Sequence, residues 1–396
     1  MDKRQVIVIG AGPGGSTAAF YLAKAGVDVL MVDKETWPRD KACGDLQAAA
    51  SFEVYKDMGI YDEALKASPN PNSTLYRYSG VDEEIVMLDM ANLPAYCGWI
   101  TPRRIIDDIV CRGAIRGGAD FMEDFEVTDL IIERGYVKGV RGLYRGKRMD
   151  IRADAVVIAN GSHSMQARQV GVFNEDPDKV FYAARGYFEN VGGIDMKAVE
   201  LHYPEGFYPA GYMWVFPENE ERKVANIGAF ITQRSLIKSG MRLEDFFPWW
   251  RDNTKIGKER LGQARLLGEI KGWKIPSCYK AGDNVVNGAI LVGDAGNAIE
   301  SSGGGGYSLA INTGKIAAEV LAKALAEGDV SKERLLEHNR LVSKNLDPIY
   351  QQCKDIRDSL YSTPERFSNF LKTAKATPGY PDAARVFAAL GAAPQA

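Results

Sequence analysis

The run Gly10-Ala11-Gly12-Pro13-Gly14-Gly15 constrains this chain more than any other stretch. It follows an apolar β-type segment, Gln5 to Ile9, and opens an alanine-rich segment, Ser16 to Ala25, with Gly26 placed to end a helix. That order reads as strand, tight turn, helix. Val27 to Val32 is a second apolar run, so the chain opens with a βαβ unit whose two strands are parallel. In a Gly-x-Gly-x-x-Gly turn, Gly10 permits the tight bend, Gly12 lets the backbone approach a pyrophosphate and Gly15 lets helix and strand pack closely. Gly14 is counted with the same binding turn. The free N–H groups and dipole of the helix start then favour an anion. Asp33 ends the second strand 18 residues after Gly15, where a carboxylate can accept hydrogen bonds from an adenosine ribose, and Lys34 after it is counted with the cofactor-binding residues. The plainer alternative is an ordinary strand-to-helix turn, and the fingerprint alone does not choose between dinucleotides.

Two further buried-strand runs, Ala155 to Ala159 and Ala289 to Val292, each end in a glycine-containing turn, as parallel strands do where they deliver loops to a cofactor crevice. Between them lie alternating, aromatic-rich segments, Val180 to Phe188, Gly211 to Phe216 and Val224 to Ile231, which read as antiparallel strands with one face buried. The expected fold is α/β: a Rossmann-type nucleotide domain assembled from residues 1–68, 100–170 and 280–330. Inserted into it is a mainly antiparallel substrate domain from 69–99 and 171–279, and a helical region follows over 331–396. The active site is expected between the two domains.

Composition excludes several other classes. Net charge is −3, with 49 basic and 52 acidic residues well mixed, so no basic field attracts nucleic acid. The five cysteines and three histidines are dispersed, which suggests neither a zinc site nor a disulfide framework. No stretch approaches the ~20 apolar residues of a membrane-spanning helix, and the expected compartment is the cytoplasm. Phe246-Phe247 with Trp249-Trp250 reads either as core or as an exposed aromatic patch for peripheral membrane contact, and the core reading is preferred.

Ile290-Leu291-Val292-Gly293-Asp294-Ala295 places an acid after an apolar strand and before a glycine-rich stretch. It resembles the second glycine–aspartate motif of glutathione-reductase-like flavoproteins. The resemblance implies FAD, with Gly293 and Asp294 at the ribityl chain. Arg103-Arg104-Ile105-Ile106-Asp107 opens a helix, Ile105 to Arg116, and the same resemblance carries Arg103 to the cofactor, against the alternative of a solvated basic helix start. At Asn160-Gly161, related hydroxylases carry Asp-Gly. Gly161 is therefore carried over as a cofactor neighbour, while Asn160 counts against aromatic hydroxylation.

Pro38-Arg39-Asp40-Lys41-Ala42-Cys43-Gly44-Asp45 resembles the Pro-x-x-Lys-x-Cys-Gly signature of the geranylgeranyl reductase family, and Tyr212-Met213-Trp214-Val215-Phe216-Pro217 its Tyr-x-Trp-x-Phe-Pro motif. The likeness runs from about residue 4 to about residue 325. It implies an FAD enzyme that reduces carbon–carbon double bonds of polyprenyl or other apolar lipid substrates, with NAD(P)H or a ferredoxin-type protein as electron donor. Cys43 is carried over as a catalytic proton donor, with Tyr212 and Trp214 beside it. Tyr212, Trp214 and Phe216 alternate and share one strand face, as pocket wall or as sheet core. Arg39, Cys43 and Gly44 are expected near the flavin, as are Gly304, Gly305 and Gly306. The segment Ser301-Ser302-Gly303-Gly304-Gly305-Gly306-Tyr307 departs from the family's Thr-Gly-Glu-Gly type. Its four glycines imply close backbone approach and mobility. Two alternatives stand beside the reductase: a flavin monooxygenase or halogenase, and a flavin-binding protein without catalysis.

Overall fold

The computed structural model describes residues 3–93, 97–173, 176, 178–207, 211–278 and 280–390. The expected domain ends at 1–2, 279 and 391–396 lie outside them. Val6 to Ile9 are buried one after another, as in a strand covered on both faces. This strand, Arg4–Ile9, lies between Lys147–Ile158 and Val29–Val32, with Ala289–Leu291 and Asp120–Met122 beyond, all parallel. Lys147–Ile158 is much longer than the apolar run Ala155 to Ala159. Its charged first half pairs antiparallel with Tyr136–Tyr144, which pairs in turn with Phe125–Glu133. The expectation stopped where side chains become charged, because that half of the strand leaves the core.

The first helix starts at Pro13, not Ser16. Gly12 is its N-cap and the proline takes the first helical positions, where its missing N–H loses no bond. This helix lies against Tyr307–Glu327 with the backbones nearly touching: a Cβ on Gly314 would sit 2.3 Å from the Gly14 carbonyl oxygen.

The second sheet runs in the order Arg265–Pro276, Val180–Glu189, Val224–Thr232, Tyr212–Asn219, Ala198–His202, Leu75–Ser79, Val86–Asp89. Every pairing is antiparallel except that of Ala198–His202 with Leu75–Ser79. One-sided burial does not hold at its centre, where Val224–Thr232 is buried throughout. Met213, Val215, Ile227 and Ile231 face one core with Phe246, Phe247 and Trp250. Tyr212, Trp214, Phe216 and Phe230 face another with Phe181, Phe367 and Leu371. Helices cover the first face and the late helix Pro364–Ala376, which Ala383–Ala389 follows, part of the second, which no local pattern announces. Phe246, Phe247 and Trp250 are buried, Phe246 and Trp250 being each 1% exposed, and Trp249 is half-buried, so three of the four rings are core. Among the described residues no helix is long and apolar enough to cross a membrane.

Lys332–Ser359 sends Leu335, Val342, Leu346 and Tyr350 into the core around the nucleotide sheet. A small sheet of Leu46–Ala48, Gly98–Ile100 and Asn70–Ser73 lies directly after the Cys43 segment.

Candidate cofactor and reaction site

At the end of the first strand, Gly10 has φ +95°, and a Cβ there would lie 2.6 Å from the Ala159 carbonyl oxygen. A Cβ on Gly15 would lie 1.9 Å from the Gly10 oxygen. Gly12 differs, since its Cβ would meet only Arg39 Nη2, at 3.6 Å. Gly10, Gly14 and Gly15 therefore serve backbone packing, and Gly12 faces open space. The helix behind it has neither a side-chain cap nor an acid in its first turn, which leaves its N–H groups to an anion. Asp33 stands beside them, accepting the N–H groups of Ala11 at 2.8 Å and Glu35 at 2.9 Å. Lys34 is exposed and pairs only with neighbouring Glu35.

Arg103 is not a solvated helix start. It heads the helix Arg103–Arg116, is 4% exposed, and donates two parallel bonds of 2.7 Å to Asp107. Arg39 reaches the same carboxylate at 2.7 Å and lies over the Trp37 ring. Burial opposes ionisation of Asp107, yet the charges of Arg103 and Arg39 outweigh it and hold the carboxyl below its usual range. Lys41 pairs with Asp294 at 3.4 Å. Both cations of the Cys43 segment thus have acidic partners and are not aimed at the thiol alone.

Asp294 follows the strand Ala289–Leu291 and shares a surface depression with Gly161, Ser162, Lys274 and Asn297. Gly293 before it, with φ +58°, leaves 3.1 Å between a Cβ and Ala310. Gly306 caps the helix Tyr307–Glu327, and a Cβ there would stand 3.7 Å from Asp294 Oδ1. The four-glycine segment is more ordered than glycine content alone implies. The Glu300 carboxylate accepts the N–H groups of Ser302, Gly303 and Gly305 at 2.6, 2.9 and 2.7 Å. Tyr212 donates its hydroxyl to the Gly303 carbonyl at 2.6 Å, and Gly304 fits against the Phe230 ring.

Cys43 and Gly44 lie partly buried between these two regions. A Cβ on Gly44 would lie 2.8 Å from the Phe216 ring and 3.5 Å from Trp214 Nε1. Cys43 is within electrostatic reach of Arg103, Tyr212 and Tyr307. The next residue, Asp45, has a left-handed backbone (φ +67°) and is fully buried. Its Oδ2 accepts the Tyr187 hydroxyl at 2.6 Å and the Asn226 amide at 2.7 Å. The Asn226 amide also donates to the Cys43 carbonyl at 2.8 Å, and its oxygen accepts Trp214 Nε1–H at 2.9 Å.

The structure thus joins Arg39 and Arg103 at Asp107, brings Lys41 to Asp294 beside Gly306, and sets Gly44 against Trp214 and Phe216, while Arg39 also lies beside Gly12. Sequence reasoning missed Asp107, Glu300, Asp45, Tyr187 and Asn226. Asp45 was visible as the acid closing the Cys-Gly segment, but its partners carry no local mark.

These residues fit FAD: an uncapped helix start behind an open Gly12, an acid at the ribose position, a second acid facing a helix N-terminus, and buried guanidinium groups between them. Fold and site together define an FAD-dependent oxidoreductase. Residues 3–341 match the family model of the FAD binding domain. The chain is 30% identical, over 338 residues covering 85% of it and 82% of the relative, to a digeranylgeranylglycerophospholipid reductase of Methanothrix thermoacetophila. It belongs to the geranylgeranyl reductase family of FAD-dependent oxidoreductases. Among solved structures, a geranylgeranyl bacteriochlorophyll reductase-like protein of Thermoplasma acidophilum superposes with a TM-score of 0.87 at 23% identity, over 99% of this chain and 96% of that one. A myxobacterial chondrochloren halogenase gives 0.76 at 24%, over 91% and 84%. Both likenesses are of fold.

Proposed function

We propose that this enzyme saturates carbon–carbon double bonds of an apolar, polyprenyl-type substrate. The position of Cys43 carries the reading: it sits on a pinned turn between the aromatic stripe of Tyr212–Asn219 and the Arg103–Asp107 pair, within reach of Tyr212 and Tyr307. The name of the Methanothrix relative, a reductase of a geranylgeranylated lipid, supports the substrate class. FAD, when bound and reduced, supplies the hydride. Tyr212, Trp214 and Phe216 pack into an apolar core beside the Cys43–Gly44 turn, which makes that side of the site one that favours a hydrocarbon chain over water. Cys43 holds a proton at Sγ and delivers it to the carbon that does not take the hydride, as a positioned general acid. Electrons come from NAD(P)H or a ferredoxin-type protein. Substrate reaches the site by peripheral contact of the enzyme with a bilayer.

The test is anaerobic mixing of reduced enzyme with a geranylgeranylated lipid, followed by flavin absorbance and product mass. The expected result is reoxidation with a two-hydrogen gain. Cys43→Ala should bind FAD and accept electrons normally while losing ~10²–10⁴-fold in reoxidation, with Cys43→Ser little better. Reduced flavin left untouched by every prenyl alkene, but consumed by oxygen with an aromatic substrate, would replace this reading with the monooxygenase or halogenase.

A further inference from the structure

The aromatic stripe of Tyr212–Asn219 does not end at Phe216. At the same two-residue period the next side chain is Glu218, buried like the rings before it and set against Asp45. Two buried carboxyl groups thus meet behind the Cys43–Gly44 turn, and their surroundings are unequal. Asp45 receives three donors, from Tyr187, Asn226 and the Arg103 backbone N–H. Glu218, next on the strand face whose Phe216 lies against Gly44, is buried beside Asp45 with its Oε1 left without a partner. Ionising both would place two negative charges side by side on two buried side chains.

We propose that Asp45 and Glu218 share one proton, and that this shared proton positions Cys43 by pinning the turn that carries it. Glu218 holds the proton and Asp45 is the carboxylate that accepts it. This rests on the reductase reading for its purpose, though not for its geometry. Burial first, then the charge of Asp45, pushes Glu218 well above the ordinary carboxylic-acid range. Burial also raises Asp45, against the pull of Tyr187, Asn226, Arg185 and Arg103. The charged groups facing the pair come from every neighbouring element. Arg185 is paired with Asp40, which also binds Lys271, and Arg103 is paired with Asp107. Arg103 is taken up by its two bonds to Asp107, and Arg185, whose Nε is left without a partner, is one cation facing two carboxyl groups and Asp40. When the proton leaves, repulsion pushes Asp45 off Asn226 and Tyr187, and the Cys43 carbonyl loses its anchor on Asn226. Gly44 transmits the shift because it already lies tight against Phe216, two residues from Glu218.

The experiment follows alkylation of Cys43 by iodoacetamide in the FAD-loaded protein as a function of pH. It is read by mass spectrometry of the Cys43 peptide, so that the other four cysteines do not contribute. The unmodified protein should show two inflections, one from the thiol and one from the pair. In Glu218→Gln the carboxamide imitates the protonated acid, and the pair's inflection should vanish. Asp45→Asn should change the alkylation rate by about tenfold at every pH, since it replaces a charged acceptor. If that variant does not fold, Tyr187→Phe, which removes one donor to Asp45, should shift the pair's inflection. Identical profiles in the unmodified protein and Glu218→Gln would overturn the proposal, as would an unshifted profile in Tyr187→Phe. Alkylation uses no alkene. A protein with both inflections that reduces no prenyl lipid therefore keeps the pair and loses the reductase reading, whereas turnover without the second inflection does the reverse.

Discussion

Asp107 and Asp45 are both fully buried, both touch Arg103 and both flank the segment that carries Cys43, but their charges are compensated differently. Asp107 meets two guanidinium groups and is held ionised below the usual range. Asp45 meets a phenol, an amide and a backbone N–H, with a second carboxyl beside it, and is raised. Full opposite charge makes a buried acid a fixed anion, whereas neutral donors leave it able to hold or share a proton. The first kind suits the cofactor side, where arginines must stay oriented and charged. The second suits the side where a proton is needed.

The largest expected effect tests the first half of that contrast. Asp107→Asn strands the buried guanidinium of Arg103 and the half-buried one of Arg39 and should lower stability by about 3–5 kcal/mol in urea unfolding. A loss near zero would mean that Arg39 and Arg103 find other partners at no cost, and the fixed-anion reading would fail.

The second test uses pH. Because the Asp107 value is depressed on folding, its contribution is complete above the ordinary carboxylic value of about 4 and is lost as pH falls through the folded value. Glu218 is raised, so its contribution is complete below the ordinary value of about 4.3 and is lost as pH rises towards the folded value. Glu218→Gln should therefore flatten the decline of stability above that pH, by up to about 1.4 kcal/mol per pH unit. Denaturation midpoints across a pH series, in both proteins, measure the difference. Parallel curves would break the contrast.

The smallest effect sharpens the cofactor side. Asp294→Ala removes an acceptor facing the Tyr307–Glu327 helix start and the partner of Lys41. It should weaken FAD binding by about 1 kcal/mol in fluorescence titration, and FAD affinity equal to that of the unmodified protein would take Asp294 off the cofactor.

Much of this was legible because it is local. The βαβ unit, the glycine turn and Asp33 lie within 33 consecutive residues, and their contacts are mostly backbone contacts that only certain residue types allow. The stripe Tyr212, Trp214, Phe216 was legible from a period of two, and that same period contained Glu218. Burial of the second sheet on both faces was not legible, since it depends on which helices arrive to cover each side. The order of the four-glycine segment was not legible either, because glycine content reports conformational freedom and not the Glu300 carboxylate that removes it.

By itself, then, the sequence determined the dinucleotide-binding unit and the strand face that carries the aromatic residues, because turn chemistry and periodicity act over a few neighbouring residues. Only the tertiary structure decided which buried charges are paired and which share a proton. Asp45 reaches Tyr187 across 142 positions of chain and Asn226 across 181, and a hydrogen bond at such separation exists only once both sheets have folded against the Cys43 segment.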